Sequence, residues 1–121
     1  MNEKRLLVID DDPLVSEYVR VVAETMGYEV RVTSEPKEFK KAYSEIQPTH
    51  IVLDMVMPEE DGLELLQELA TRRCESQLVV VSAYSNLYLD LAKRFGAALG
   101  LNKVKTISKP FQLQELTEAL T

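Results

Sequence analysis

Apolar residues along this chain follow two spacings, short unbroken runs and stripes at helical intervals, and the changes of spacing fall at prolines, glycines or acidic clusters. Leu6-Leu-Val-Ile9 is uninterrupted, as a parallel strand buried on both faces requires, and it stops at Asp10-Asp11-Asp12-Pro13. Asp12 is placed to cap a helix whose first position is Pro13, where a missing N–H costs nothing. Leu14, Val15, Tyr18, Val19, Val22, Ala23 and Met26 then share one stripe, and Gly27 closes the helix in the left-handed conformation. Glu29-Val-Arg-Val-Thr33 alternates, which predicts a half-exposed edge strand, and Ser34 with Pro36 restarts a helix. That second helix carries Phe39, Ala42, Tyr43 and Ile46 inward until Gln47-Pro48 ends it.

A third strand begins at His50 or Ile51 and ends on Asp54, because Pro58 prevents its continuation and Gly62 permits a turn. The helix after Gly62 is expected to turn Leu63, Leu66, Leu69 and Ala70 inward. Leu78-Val-Val-Val81 is fully apolar and therefore a central strand; it ends at Ser82-Ala83, with Ser85-Asn86 as a cap for a helix from about Leu87 to Leu99 stopped by Gly100. Val104 to Ile107 reads as the fifth strand. Lys109-Pro110-Phe111 leads into a short last helix with Leu113, Leu116 and Leu120 inward. Five strand-helix units in strict alternation predict an α/β fold, and right-handed crossovers with helices on both faces select a doubly wound five-stranded parallel sheet of order 2-1-3-4-5.

Composition narrows the function classes. With 121 residues and 45% hydrophobic content, the chain fits a single domain over residues 1–121, with a core that needs no disulfide; Cys74 has no partner cysteine. No apolar run approaches a membrane span, and a signal-peptide start is missing, so a cytoplasmic location is expected. A net charge of −6 and a pI near 4.8 oppose direct binding to nucleic acid or to an anionic membrane, and suit a basic partner or a cation.

The predicted strand order supplies the chemistry. Strands one and three become neighbours, roughly 4.8 Å apart, which sets Asp10 and Asp11 beside Asp54. Two carboxylates about 5 Å apart at an effective dielectric near 20 repel by roughly 3 kcal/mol, a cost that a divalent cation would reverse. Hard oxygen donors without nearby His or Cys favour Mg2+, and with it phosphoryl chemistry. Ser82 offers a hydroxyl and Lys109 a point charge at the ends of strands four and five. Singly these residues have plainer readings: Asp54 a loop cap, Ser82 a backbone bond, Lys109 a solvated cation. Asp12 reads as a helix cap, His50 as a surface or satisfied histidine, Cys74 as a loop residue, Met55 and Met57 as packing, and Arg72-Arg73 as serving the end of helix three.

Asp10-Asp11, Asp54 with Met57-Pro58 and Asp61-Gly62, Ser82-Ala83 and Lys109-Pro110-Phe111, in that order, resemble the motifs of response-regulator receiver domains of two-component signalling, chemotaxis-regulator-like, over nearly the whole chain. The resemblance implies the flavodoxin-like form of the sheet, Asp54 as phosphoacceptor, and Mg2+ held by Asp10, Asp11, Asp54 and the Val56 carbonyl. It also implies phosphoryl contacts from Ser82 and Lys109 and a cis peptide before Pro110. Implied partners are a sensor histidine kinase or phosphotransfer protein, a downstream protein or an output domain attached in a longer chain from which this one is truncated, and a second copy in a homodimer. Self-phosphorylation and dephosphorylation at Asp54 would serve signalling rather than turnover.

Three departures from the family pattern stand out. Thr106 occupies the strand-five position where an aromatic switch residue is common. The Ser82 to Lys109 segment is longer than usual, which predicts an extended helix four. Val56 and Tyr84 replace polar residues found where hydrolysis is fast, so Tyr84 is a gate candidate and a long-lived phosphoryl state is expected. Among other classes, an Asp-nucleophile phosphatase would need a second acid at the position of Val56, and a cofactor binder would need a phosphate loop where this chain is triply acidic. A receiver-like interaction domain that is never phosphorylated stays open.

Overall fold

The computed structural model describes residues 3–57, 62–83 and 86–121. Five strands alternate with five helices: β1 (Arg5–Ile9), α1 (Pro13–Thr25), β2 (Glu29–Thr33), α2 (Pro36–Ile46), β3 (His50–Asp54), α3 (Gly62–Thr71), β4 (Gln77–Ser82), α4 (Asn86–Ala98), β5 (Val104–Ser108) and α5 (Leu113–Ala119). The strands form one parallel sheet in the order β2-β1-β3-β4-β5, as expected. No described helix is long and apolar enough to cross a membrane.

Pleating sends successive strand residues to opposite faces, and each face has its own core. Leu7, Ile9, Ile51, Leu53, Leu78 and Val80 pack against α2, α3 and α4. Leu6, Val8, Val52, Val79 and Val81 pack against Val19, Val22 and Ala23 of α1 and Leu116 and Ala119 of α5. The unbroken apolar runs of β1, β3 and β4 follow from this two-sided burial. β2 alternates as an edge strand should, with only Thr33 buried.

Helix ends follow local chemistry. The Asp12 carboxylate accepts the Leu14 N–H at 2.9 Å, and Pro13 opens α1. Gly27 and Gly100 adopt φ of 91° and 93°, the left-handed exits expected after α1 and α4. At α2 the expected restart is modified: Glu35 takes the cap position without a side-chain bond, and Glu38 reaches back to the Ser34 N–H at 2.9 Å.

Several inward assignments are corrected. Leu14 is 81% exposed, and Tyr18 lies partly open against the Phe111 ring with centroids 6.0 Å apart. The seven apolar residues of α1 form a stripe wider than the sheet can cover, so Val15, Val19, Val22, Ala23 and Met26 face inward while Leu14, Tyr18 and Val21 flank them. Leu113 is exposed because it opens a seven-residue helix that docks through Leu116 and Ala119, with Leu120 buried just beyond. In α3, Leu65 is fully buried and Leu63 only half-buried, since starting the helix at Gly62 sets its phase by contact with Met55.

That contact is tight. The Gly62 N–H donates to the Met55 carbonyl at 2.9 Å, and a Cβ on Gly62 would lie 2.7 Å from the Met55 Cα and 2.4 Å from its sulfur. Because one of these atoms is backbone, no rotamer change relieves the clash. Gly62→Ala is expected to destabilise the fold by about 1–3 kcal/mol, the usual range for overpacking, read as a lower midpoint in urea at unchanged slope. An unchanged midpoint would contradict the assigned contact.

Candidate functional site

All five strands end on polar residues at one edge of the sheet or just beyond it: Asp10 after β1, Thr33 on β2, Asp54 on β3, Ser82 on β4 and Ser108 on β5, followed by Lys109. Asp10 is 2% exposed, Asp54 4% and Ser82 0%, whereas Asp11 is open to solvent. One carboxylate oxygen each from Asp10, Asp11 and Asp54 lies within 4.8 Å of the others. The strand order therefore brings together the three acids that the sequence pointed to. A cleft of about 450 Å3 opens beside two of them, Asp10 and Asp11, with Ser16 and Thr33 also in its lining. Two clefts of about 540 and 610 Å3 lie at the opposite edge and hold none of these residues.

Local bonds fix the acids. Asp10 Oδ1 accepts the Asp12 N–H at 2.9 Å, its own N–H donates to the Thr33 carbonyl at 3.2 Å, and its carbonyl accepts the Ser16 hydroxyl at 3.3 Å. Asp54 Oδ1 accepts the Val56 N–H at 3.2 Å. Lys109 completes the group: its Nζ lies 2.7 Å from Asp10 Oδ2 and 3.5 Å from Asp54 Oδ2, while its N–H donates to the Ser82 carbonyl at 2.8 Å. The Lys109-Pro110 peptide is cis, as the resemblance implied.

The electrostatics follow from this packing. Burial first, and then the Asp10 charge, push the Asp54 carboxyl up to about 6; the Val56 N–H and Lys109 pull it down, and Asp11 adds a smaller upward push. For Lys109 burial acts downward, but the bond and charge of Asp10, with Asp54 behind them, outweigh it and raise the ammonium above its usual range. Among the described residues one cation stands against three acids, so negative charge remains in excess. An all-oxygen set with spare negative charge is the donor chemistry of a hard divalent cation, and these residues fit one.

The remaining candidates separate from this cluster. Thr106 is half-buried on β5, in register with Val80 and on the same pleat face as Val104. Val56 is half-buried beside Asp54; Tyr84, Ser85, Pro58 and Asp61 lie outside the described residues. His50 sits at the far end of β3, edge-on to Tyr28 at 4.9 Å and 2.8 Å from Thr49 Oγ1, and burial with Lys105, Lys4 and Lys103 lowers its pKa. Met55 and Met57 are core residues. Arg72, just past α3, pairs with Glu68 at 3.1 Å and lies over the Tyr43 ring. Sequence reasoning missed Ser16 and Thr33 as supports of the Asp10 loop. For Thr33 the available signal was that β2, like its neighbours, ends on a polar residue.

Comparison with known proteins agrees with this geometry. A family model described as response regulator receiver domain matches residues 6–121. The chain is 35% identical over 121 residues to the probable C4-dicarboxylate response regulator DctR of Bacillus subtilis, covering 98% of this chain and 51% of that protein. It is 34% identical over 120 residues to the transcriptional regulatory protein DcuR of Escherichia coli, covering 96% and 48%. The chain thus spans about half the length of these curated relatives. A response regulator from Colwellia psychrerythraea superposes with a TM-score of 0.81 at 28% identity, over 98% of this chain and 94% of that one.

Proposed function

Since this chain belongs to the response regulator receiver domains of two-component systems, we propose that Asp54 accepts a phosphoryl group from a histidine of a sensor kinase or phosphotransfer protein. The observation that carries this reading is the cluster itself: three carboxylates within 4.8 Å, with Lys109 Nζ reaching two of them at the carboxyl edge of the sheet.

In the proposed step the Asp54 carboxylate attacks phosphorus in line. An O–P bond forms, the P–N bond to the donor imidazole breaks, and the imidazole leaves with the electron pair and takes up a proton. The product is an acyl phosphate. Asp54 Oδ1 is engaged by the Val56 N–H while Oδ2 faces Lys109. In this reading Lys109 would pair with a phosphoryl oxygen, and Ser82 at the end of β4 would donate a hydrogen bond to another. Asp10, Asp11, Asp54 and the Val56 carbonyl would hold Mg2+, which supplies charge neutralisation to the transferring group. With its carboxyl at about 6, Asp54 is mostly ionised at neutral pH, as a nucleophile must be.

The donor has an apolar surface to meet. Leu14 and Leu113 are exposed beside the acidic edge, and Tyr18 stands partly open against Phe111. The name of the DcuR relative ties that protein to transcriptional regulation, and for this chain we extend that to output through protein contacts in the cytoplasm. A charge of −6 opposes its touching DNA itself.

Incubation with Mg2+ and a small acyl-phosphate donor is expected to add one phosphoryl mass to the chain, detected by intact-mass spectrometry. The absence of both an adduct and measurable Mg2+ binding would sink the reading.

A further inference from the structure

Among the described residues five polar side chains are buried: Asp10, Asp54 and Ser82, already placed at the candidate site, and Ser16 and Thr33. A buried hydroxyl is tolerated where its hydrogen bond is made, and alanine or valine would fill the same space without that demand. Both hydroxyls bond the end of β1 or the residue after it. The Thr33 hydroxyl donates to the Val8 carbonyl at 2.7 Å, and the Ser16 hydroxyl donates to the Asp10 carbonyl at 3.3 Å.

The two bonds grip successive parts of one short segment. Thr33 holds it twice, because its carbonyl also accepts the Asp10 N–H at 3.2 Å, and the backbone is thereby fixed on either side of Ile9. Ser16 holds the next peptide. Its own N–H donates to the Asp12 carbonyl at 3.1 Å, which anchors it in the first turn of α1 while its hydroxyl meets Asp10. The Asp10 carbonyl lies in the peptide plane that Asp10 shares with Asp11, so turning that plane swings one acid relative to the other. Asp11 is open to solvent, which leaves the backbone to set where its carboxylate points. The spacing of the three acids, with oxygens within 4.8 Å across two strands, therefore depends on how the backbone is held from Val8 to Asp11.

We propose that Ser16 and Thr33 are positioning residues for Mg2+: through their hydroxyls, α1 and β2 hold the segment from Val8 to Asp11 so that Asp10 and Asp11 meet Asp54 at the observed spacing. This rests on the reading of these acids as the Mg2+ and phosphoryl site. Both hydroxyls give their proton to a main-chain carbonyl, and neither is directed at the reacting groups. They act on how well the cation is held and not on the transfer once it is held. Thr33, with the shorter bond, is the firmer hold, and Ser16 is the one nearer to Asp11.

The test titrates Mg2+ into the 121-residue chain, following backbone amide resonances by NMR, and measures phosphoryl addition from a small acyl-phosphate donor by mass over the same Mg2+ range. A Ser16→Ala, Thr33→Val double variant, shown folded by its core resonances, is expected to bind Mg2+ about tenfold more weakly. The Mg2+ concentration for half-maximal rate should rise by the same factor, while the rate at saturating Mg2+ stays within about twofold of the parent. Ser16→Ala alone, at a helical position where alanine keeps the fold, should weaken Mg2+ by about threefold, and this comparison decides the matter where the double variant fails to fold. Thr33→Ser keeps the hydroxyl and should bind Mg2+ within about twofold of the parent. A role in the fold alone would lower the unfolding midpoint and leave the Mg2+ affinity of the folded chain untouched. Parental affinity in Ser16→Ala or in the folded double variant, or a lower rate ceiling at saturating Mg2+, overturns the proposal. A parent that binds no Mg2+ overturns instead the reading of the acids on which it rests, before any variant is compared.

Discussion

Asp54→Asn is expected to abolish the phosphoryl adduct and, unusually for a buried site, to stabilise the cation-free domain at neutral pH. The first effect follows from chemistry: the amide keeps the shape of the carboxylate but has neither its charge nor its nucleophilic oxygen. Asp10 is not a substitute, because Lys109 holds its Oδ2 at 2.7 Å, tighter than the 3.5 Å from the same ammonium to Asp54 Oδ2. The second effect follows from the proton. An acid whose carboxyl is pushed up to about 6 holds its proton more tightly folded than unfolded, so the fold is penalised once that proton is lost. The penalty is absent below the ordinary value of 3.8, grows between 3.8 and about 6, and is complete above that. Two pKa units correspond to about 3 kcal/mol. That value already includes the downward pull of Lys109 and the Val56 N–H, so the net gain at pH 7 is of the same order, about 2–3 kcal/mol. Urea unfolding of parent and variant at several pH values checks both parts of the claim. The two stabilities should converge near pH 4 and diverge as the pH rises to 7, and Mg2+ should close the gap at pH 7. An adduct on the variant, or a variant less stable than its parent at pH 7, would contradict this account.

How far the site was legible in one dimension depends on how its residues are joined. Asp10, Asp11 and Asp54 could be placed together because β1 and β3 are hydrogen-bonded neighbours, and unbroken apolar runs ending in acid mark both strands. Helix limits at Pro13, Gly27 and Gly100 were legible because each is set by a single residue's backbone preference. The exposure of Leu14, Tyr18 and Leu113 was not. Periodicity says which residues share a face, but the width of the covering sheet belongs to the assembled fold. Leu65 replaces Leu63 in the core for a related reason, since the phase of α3 is set by the Gly62 contact with Met55. Least legible was the ion pair of Lys109 with Asp10. β5 is separated from β1 by two strands, and only the reach of a folded lysine shows that the distance is bridged.

That ion pair makes Lys109→Met the most informative substitution after Asp54. The methionine keeps the length and apolar stem of the lysine while removing its charge. Two consequences are expected, with opposite dependence on divalent cation. Phosphoryl addition should slow by about two to three orders of magnitude, the usual cost of removing one preorganised donor from developing charge, and Mg2+ should not restore it. Stability should also fall, because Asp10 and Asp54, 2% and 4% exposed, would face each other with no ammonium between them. Breaking a buried pair from one side costs about 3–5 kcal/mol. Here either protonation or a cation can neutralise the acids, so the loss should be largest at neutral pH without divalent ion and should shrink as Mg2+ is added. Lys109→Arg sharpens the distinction. It keeps the charge, but its planar fork does not reproduce a point contact at 2.7 Å to one carboxylate and 3.5 Å to the other. It should therefore recover most of the stability and little of the rate. If Lys109→Met instead phosphorylates at the parental rate, the lysine serves the fold alone, and charge compensation at the phosphoryl group must come from elsewhere.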